Sequence, residues 1–132
     1  AVDINLAKQL NVLIGQLGVD RANVVMNVGS AAAGYGFEYV VSTMDRVKAA
    51  ALAQGDVQLQ MPIMTPVADE AWNVKEAMAS EADMPEWGSQ EERGIDMEVE
   101  TAAAVLASGS NAVILKHPTS VATISKLIKA LV

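Results

Sequence analysis

Apolar residues recur along this chain with two periods, and the switches between them mark out its elements. Between Asp3 and Leu17, residues Leu6, Leu10, Leu13, Ile14 and Leu17 fall three and four apart, the spacing of one helix face. Asp3 can cap that helix, and Gly18 stands where a helix commonly ends in the left-handed conformation. Val24 to Val28 is a short apolar run that predicts a buried strand. A second helix is predicted from about Phe37 to Ala53, with Val40, Met44, Val47 and Ala51 on one face. Val57, Leu59 and Met61 then alternate with Gln58 and Gln60, which predicts a strand. A fully buried parallel strand is apolar on both faces. The glutamines therefore indicate either a polar space, such as a barrel mouth, or an edge strand with one wet face.

Pro62 and Pro66 shape a loop containing Met64 and Thr65, and Asp69 can cap a helix through about Ala79. Met84 to Ser89 reads as a surface turn, set among the acidic residues Glu81, Asp83, Glu86, Glu91 and Glu92, a solvated face. A helix from near Arg93 to Ala107 turns Ile95, Val99, Ala102 and Leu106 inward, and Gly109 ends it. Ala112 to Lys116 predicts the third strand, and His117-Pro118 turns off its end. Thr119 or Ser120 caps a last helix with Val121, Ile124, Ile128 and Leu131 on its inner face. Strands alternating with helices imply an α/β fold with parallel strands and right-handed crossovers. No linker divides residues 1–132, so a single domain is expected.

Composition narrows the function classes. The 132 residues suffice for one core, and 52% hydrophobic against 19% charged residues describes a globular chain. A net charge of -7 argues against nucleic acid and against an anionic membrane surface, both of which reward clustered Lys and Arg. No apolar run approaches the roughly 20 residues of a membrane span. There is no cysteine, which excludes a disulfide and an iron–sulfur cluster held by this chain alone. A cytoplasmic location is expected.

Candidate chemistry gathers behind the first strand. Gly29, Gly34 and Gly36 follow its carboxyl end, where α/β folds place their sites, and such a loop can bring backbone close to a ligand. The same glycines can equally serve a plain connector. Two nucleotide loops are excluded: Tyr35 stands where a phosphate loop needs lysine, and Tyr39 where a dinucleotide fingerprint needs its third glycine. The single histidine, His117, lies past the third strand at the same end, as a ligand, a proton carrier or a capping residue. No metal-ligand spacing and no Ser/His/Asp order is present. The residues by themselves define a site-bearing α/β surface and no reaction.

Six runs carry more information than any of these. They are Gly34-Tyr35-Gly36-Phe37-Glu38-Tyr39, Met44-Asp45-Arg46, Leu59-Gln60-Met61-Pro62, Pro85-Glu86-Trp87-Gly88, Glu92-Arg93-Gly94 and Lys116-His117-Pro118. In this order and at this spacing they resemble the small (delta) subunit of the corrinoid iron–sulfur protein of the CO dehydrogenase/acetyl-CoA synthase system. The resemblance implies the carboxyl-terminal part of a TIM-type (β/α)8 barrel, with about three parallel strands, from the barrel's helix five to its helix eight. It implies a non-catalytic methyl carrier between a methyl-pterin methyltransferase and acetyl-CoA synthase. Cobalamin would be shared with the large subunit, which would hold the iron–sulfur cluster.

The implied corrin contacts are Gly29, Ser30, Gly34, Tyr35 and Gly36 in the glycine loop, Met64 and Thr65, and His117. Asn27-Val28 departs from the Asp-Pro common in the family and removes a charge from the mouth. The alternative is a pterin-binding barrel methyltransferase, for which Asn27, Gln60 and Asn111 are the polar candidates. Three strands leave two unpaired edges. The chain is therefore expected to be a piece of a longer subunit and to associate when isolated.

Overall fold

A computed structural model describes residues 3–132. The Asp3 carboxylate accepts from the Asn5 and Leu6 N–H groups, and helix α1 runs from Ile4 to Gln16. Residues 24–28 are extended, but they pair at one point only. The Met26 N–H donates to the Pro62 carbonyl, and the Met64 N–H donates to Met26, forming a parallel bridge between Met26 and Ile63. Helix α2, Phe37–Ala53, has the predicted bounds and buries the predicted Val40, Met44, Val47 and Ala51.

The second strand lies elsewhere than its alternation suggested. Val57–Leu59 is a 3-10 turn, opened by the Asp56 carboxylate accepting from the Gln58 N–H. Its alternation has another cause: Leu59 and Met61 enter the core, while the Gln58 carbonyl accepts from Asn11 and the Gln60 amide donates to Ala51. Neither glutamine lines a barrel mouth or a wet edge strand. Strand β1 is instead Met64–Pro66, the stretch expected to be loop, and it pairs in parallel with β2, Ala112–Ile114. The Asn111 side-chain oxygen accepts from the Ile63 N–H, and the Ile63 carbonyl accepts from Asn111 and Ala112. These contacts span 48 residues of sequence, beyond the reach of any local pattern.

The expected helix from Asp69 to Ala79 divides into α3, Val67–Ala71, and α4, Lys75–Met78. Asp69 does not cap it; it lies in the first turn of α3, where negative charge is favoured. Pro85–Trp87 is the expected turn. Helix α5, Gln90–Ala107, starts three residues early because Ser89 caps it. Its buried face is Gly94, Glu98, Thr101, Ala102 and Val105, so Ile95, Val99 and Leu106 flank that face and do not centre it. Helix α6, Pro118–Leu131, is capped by His117 itself and not by Thr119 or Ser120.

The helices cover one face of the sheet. Val24, Met26, Val28 and Ile63 are buried on that face, in one core with α2 and α5, and Thr65 is buried beside Ser110. Val25, Asn27, Ala112 and Ile114 alternate with them and are exposed on the other. The predicted inner faces of the end helices are also largely open. Leu6, Leu10 and Leu13 on α1, Leu17 at its end, and Val121, Ile128 and Leu131 on α6 are exposed, while Ala7, Asn11, Ser120 and Ile124 are buried. Among the described residues the fold is α/β in class and mostly helical, with two parallel strands and a third segment bridged beside them.

Candidate functional site

Because the strands are parallel, residues 28, 66 and 115 leave the sheet at one end. The glycine loop is built there from backbone donors and short side chains. The Asn27 amide oxygen accepts from the Gly29 N–H at 3.0 Å, and the Ser30 hydroxyl donates to the Pro66 carbonyl at 2.9 Å. The Ala33 N–H donates to the Thr101 hydroxyl of α5 at 3.0 Å. Gly34 and Gly36, at φ +82° and +84°, flank Tyr35 and turn the chain into α2. A Cβ added at Gly34 would meet no heavy atom within 4 Å, so its surface is open.

Tyr35 projects from this turn with 48% of its surface exposed, and its hydroxyl donates to a Glu76 carboxylate oxygen of α4 at 2.6 Å. That bond raises the Tyr35 phenol above its ordinary value of 10.0 and holds the Glu76 carboxyl below the usual glutamate value. Met64 is half-buried and, by alternation with Thr65, belongs to the open sheet face. Thr65 points the other way: it is fully buried, with its hydroxyl 2.8 Å from that of Ser110.

His117 occupies a separate cleft of about 710 Å³, whose walls include Trp72, Met78, Glu81, Gln90 and Lys116. Both imidazole nitrogens are engaged. Nδ1 accepts from the Thr119 N–H at 3.1 Å, which assigns the proton to Nε2, 2.9 Å from Glu91. The ring stacks on Trp72 at 6.0 Å, and the Lys116 amine sits 5.2 Å from the same indole. Beneath them the wholly buried Glu98 of α5 accepts from the backbone N–H groups of both Lys116 and His117. The structure thus joins the glycine loop to Pro66 and α4, but gives His117 a neighbourhood of its own.

Sequence reading missed Trp72, Glu76 and Glu98, because a charged residue or a lone aromatic reads as surface until its partners are known. It also left the Glu92-Arg93-Gly94 run without a role. Arg93 donates from its guanidinium to the carbonyls of Glu76 and Ala79 and lies over the Trp87 ring at 5.8 Å, tying α4 to α5. Gly94 faces Trp72 so closely that a Cβ there would stand 2.1 Å from the ring. Among the described residues, no group of three His, Cys, Asp or Glu is placed to hold a metal ion. No helix among them is long and apolar enough to cross a membrane.

A model of the family described as the CO dehydrogenase/acetyl-CoA synthase delta subunit matches residues 1–127. The acetyl-CoA decarbonylase/synthase complex subunit delta 2 of Methanosarcina acetivorans is 34% identical over 136 residues, covering 98% of this chain and 30% of that protein. The corresponding delta subunit of Methanopyrus kandleri is 37% identical over 120 residues, covering 91% of this chain and 29% of that protein. That of Archaeoglobus fulgidus is 31% identical over 134 residues. The chain spans about 30% of the length of these curated relatives. It belongs to the CO dehydrogenase/acetyl-CoA synthase delta-subunit family.

Proposed function

We propose that this chain is part of a methyl-carrier subunit that covers a corrinoid with the carboxyl end of its sheet, without itself catalysing methyl transfer. Its relatives are named as subunits of the acetyl-CoA decarbonylase/synthase complex. The partners this reading assigns are a large subunit bearing the iron–sulfur cluster, a methyl-pterin methyltransferase and acetyl-CoA synthase. The open sheet face and bare edges suit the carboxyl-terminal part of a (β/α)8 barrel, with the remaining strands supplied around it.

The residues present fit a macrocycle lid. A corrin is broad and largely apolar, and needs close backbone, flat apolar side chains and no competing metal ligands. The single observation that carries the reading is the open space at Gly34 beside the half-exposed Tyr35 ring. Gly29, Ser30 and Gly36 shape that loop, while Met64, the first residue of β1, lies on the open sheet face toward the amino end of the strand. Thr65 and His117 act behind the loop, Thr65 by fixing β1 against Ser110 and His117 by capping α6. With both nitrogens bonded, His117 serves the α6 cap and the Glu91 contact and not the cobalt. When bound, the corrinoid supplies the methyl-carrying chemistry, and the protein's part is to exclude water and orient.

The methyltransferase alternative loses support from geometry. Asn111 precedes β2 and bonds Ile63 and Lys48, and Gln60 precedes β1 and bonds Ala51. Both lie toward the amino ends of the strands, opposite the glycine loop, so only Asn27 stands at the proposed site. Replacing Gly34 by Leu in the assembled complex tests the carrier reading. Corrinoid occupancy and methyl-transfer rate are expected to fall together; wild-type values for both would overturn it.

A further inference from the structure

The hydrogen bond between Tyr35 and Glu76 joins the glycine loop to helix α4, 41 residues away in sequence. Its two ends are held very differently. Glu76 lies on α4, whose carbonyls at Glu76 and Ala79 are gripped by the Arg93 guanidinium from α5. Arg93 in turn lies over Trp87, and Lys75 of α4 lies over the same ring at 5.6 Å. Glu76 therefore stands on a braced platform. Tyr35 sits between two glycines at positive φ, and its half-exposed ring is tied to α4 through the hydroxyl bond to Glu76.

We propose that Glu76 is the positioning residue of the glycine-loop site: it fixes the Tyr35 ring between the loop and α4, and so fixes the apolar surface met by the corrin. This rests on the carrier reading above. A carboxylate suits the task, because a hydroxyl bound to a charged acceptor makes a shorter and stronger hydrogen bond than one bound to a neutral acceptor. The raised Tyr35 and lowered Glu76 ionisations agree with a phenol donating to a carboxylate. Nothing in the site requires Glu76 to touch the corrin.

The test compares Glu76→Ala, Glu76→Gln, Tyr35→Phe and the double variant Tyr35→Phe/Glu76→Ala in the assembled complex, with Gly34→Leu as reference. Corrin absorbance retained after gel filtration and the thermal midpoint are measured for each. Glu76→Ala and Tyr35→Phe are each expected to lose corrin roughly threefold to tenfold faster, the range for one typical hydrogen bond lost at a partly exposed site. The double variant is expected to match the worse single variant, and Glu76→Gln, which keeps an oxygen acceptor, to restore most of the retention. Additive losses in the double variant overturn the proposal. So does a matching fall in thermal midpoint without rescue by Glu76→Gln. Normal retention in Glu76→Ala beside loss in Gly34→Leu overturns the Glu76 role alone, whereas normal retention in both overturns the carrier reading with it.

Discussion

Gly94 is on α5 because of what faces it. Trp72 leaves α3 and lays its ring where any side chain at position 94 would stand, so the Glu92-Arg93-Gly94 run has a packing cause. Gly94→Ala is expected to cost about 1–3 kcal/mol by overpacking. Combining it with Trp72→Leu is expected to cost less than the sum of the two changes, because the shorter side chain removes the clash. Denaturant midpoints of the four proteins check this. Asn27 teaches the opposite lesson about substitution. It stands where the family resemblance places an aspartate, yet its amide oxygen still accepts from the Gly29 N–H. The turn keeps its acceptor although the charge, and the proline that Val28 replaces, are gone.

Asp56 shows how an element can contradict its own hydrophobic pattern. One carboxylate oxygen accepts from the Gln58 N–H, and the other lies 2.5 Å from the Lys8 amine of α1. Together they hold residues 57–59 in a turn beneath α1, although Val57, Leu59 and Met61 alternate as a strand would. The Lys8 contact, aided by the Gln58 N–H, lowers the Asp56 carboxyl below its ordinary value of 3.8. A lowered folded value means that the unfolded chain binds the proton more readily. The contribution to stability is therefore full above 3.8 and disappears as pH falls through the lower folded value. Wild type is expected to exceed Lys8→Met in stability at neutral pH, and the gap is expected to close well below pH 3.8, as read from urea midpoints at both.

At the scale of the whole molecule, the uncovered surfaces dominate. Leu6, Leu10, Leu13 and Leu17 form one stripe on α1, and Leu17 is 85% exposed; at the other flank, Leu131 of α6 is 78% exposed. Val25 and Ile114 add to the open sheet face between them. Burying a side chain of this size is worth about 1.5–3 kcal/mol, and several together rival the stability of a domain. The isolated chain is therefore expected to associate at low micromolar concentration in sedimentation velocity. A cooperatively melting monomer at that concentration would contradict the partial-barrel reading of these faces.

What the sequence determined by itself was local. The Asp3 cap and the full span of α2 follow from interactions within a few residues, as do the positions of the Gly18 and Gly109 stops and the Pro85–Trp87 turn. The glycine loop and its place after an extended apolar run were legible for the same reason, and the six runs were enough to place the family. Which residues form the second strand was not local. Ile63 is drawn into the sheet by Asn111 and Met64 by Met26, across distances in sequence that no periodicity encodes. Periodicity also shows that a helix has an apolar stripe without saying what covers it. On α1 and α6, Ala7, Ser120 and Ile124 turn inward, while Leu6, Leu10, Leu13, Val121, Ile128 and Leu131 stay exposed. Glu98 and Glu76 were hidden most completely. A carboxylate is read as surface until the fold supplies its donors, and for these two the donors lie 18 and 41 residues away.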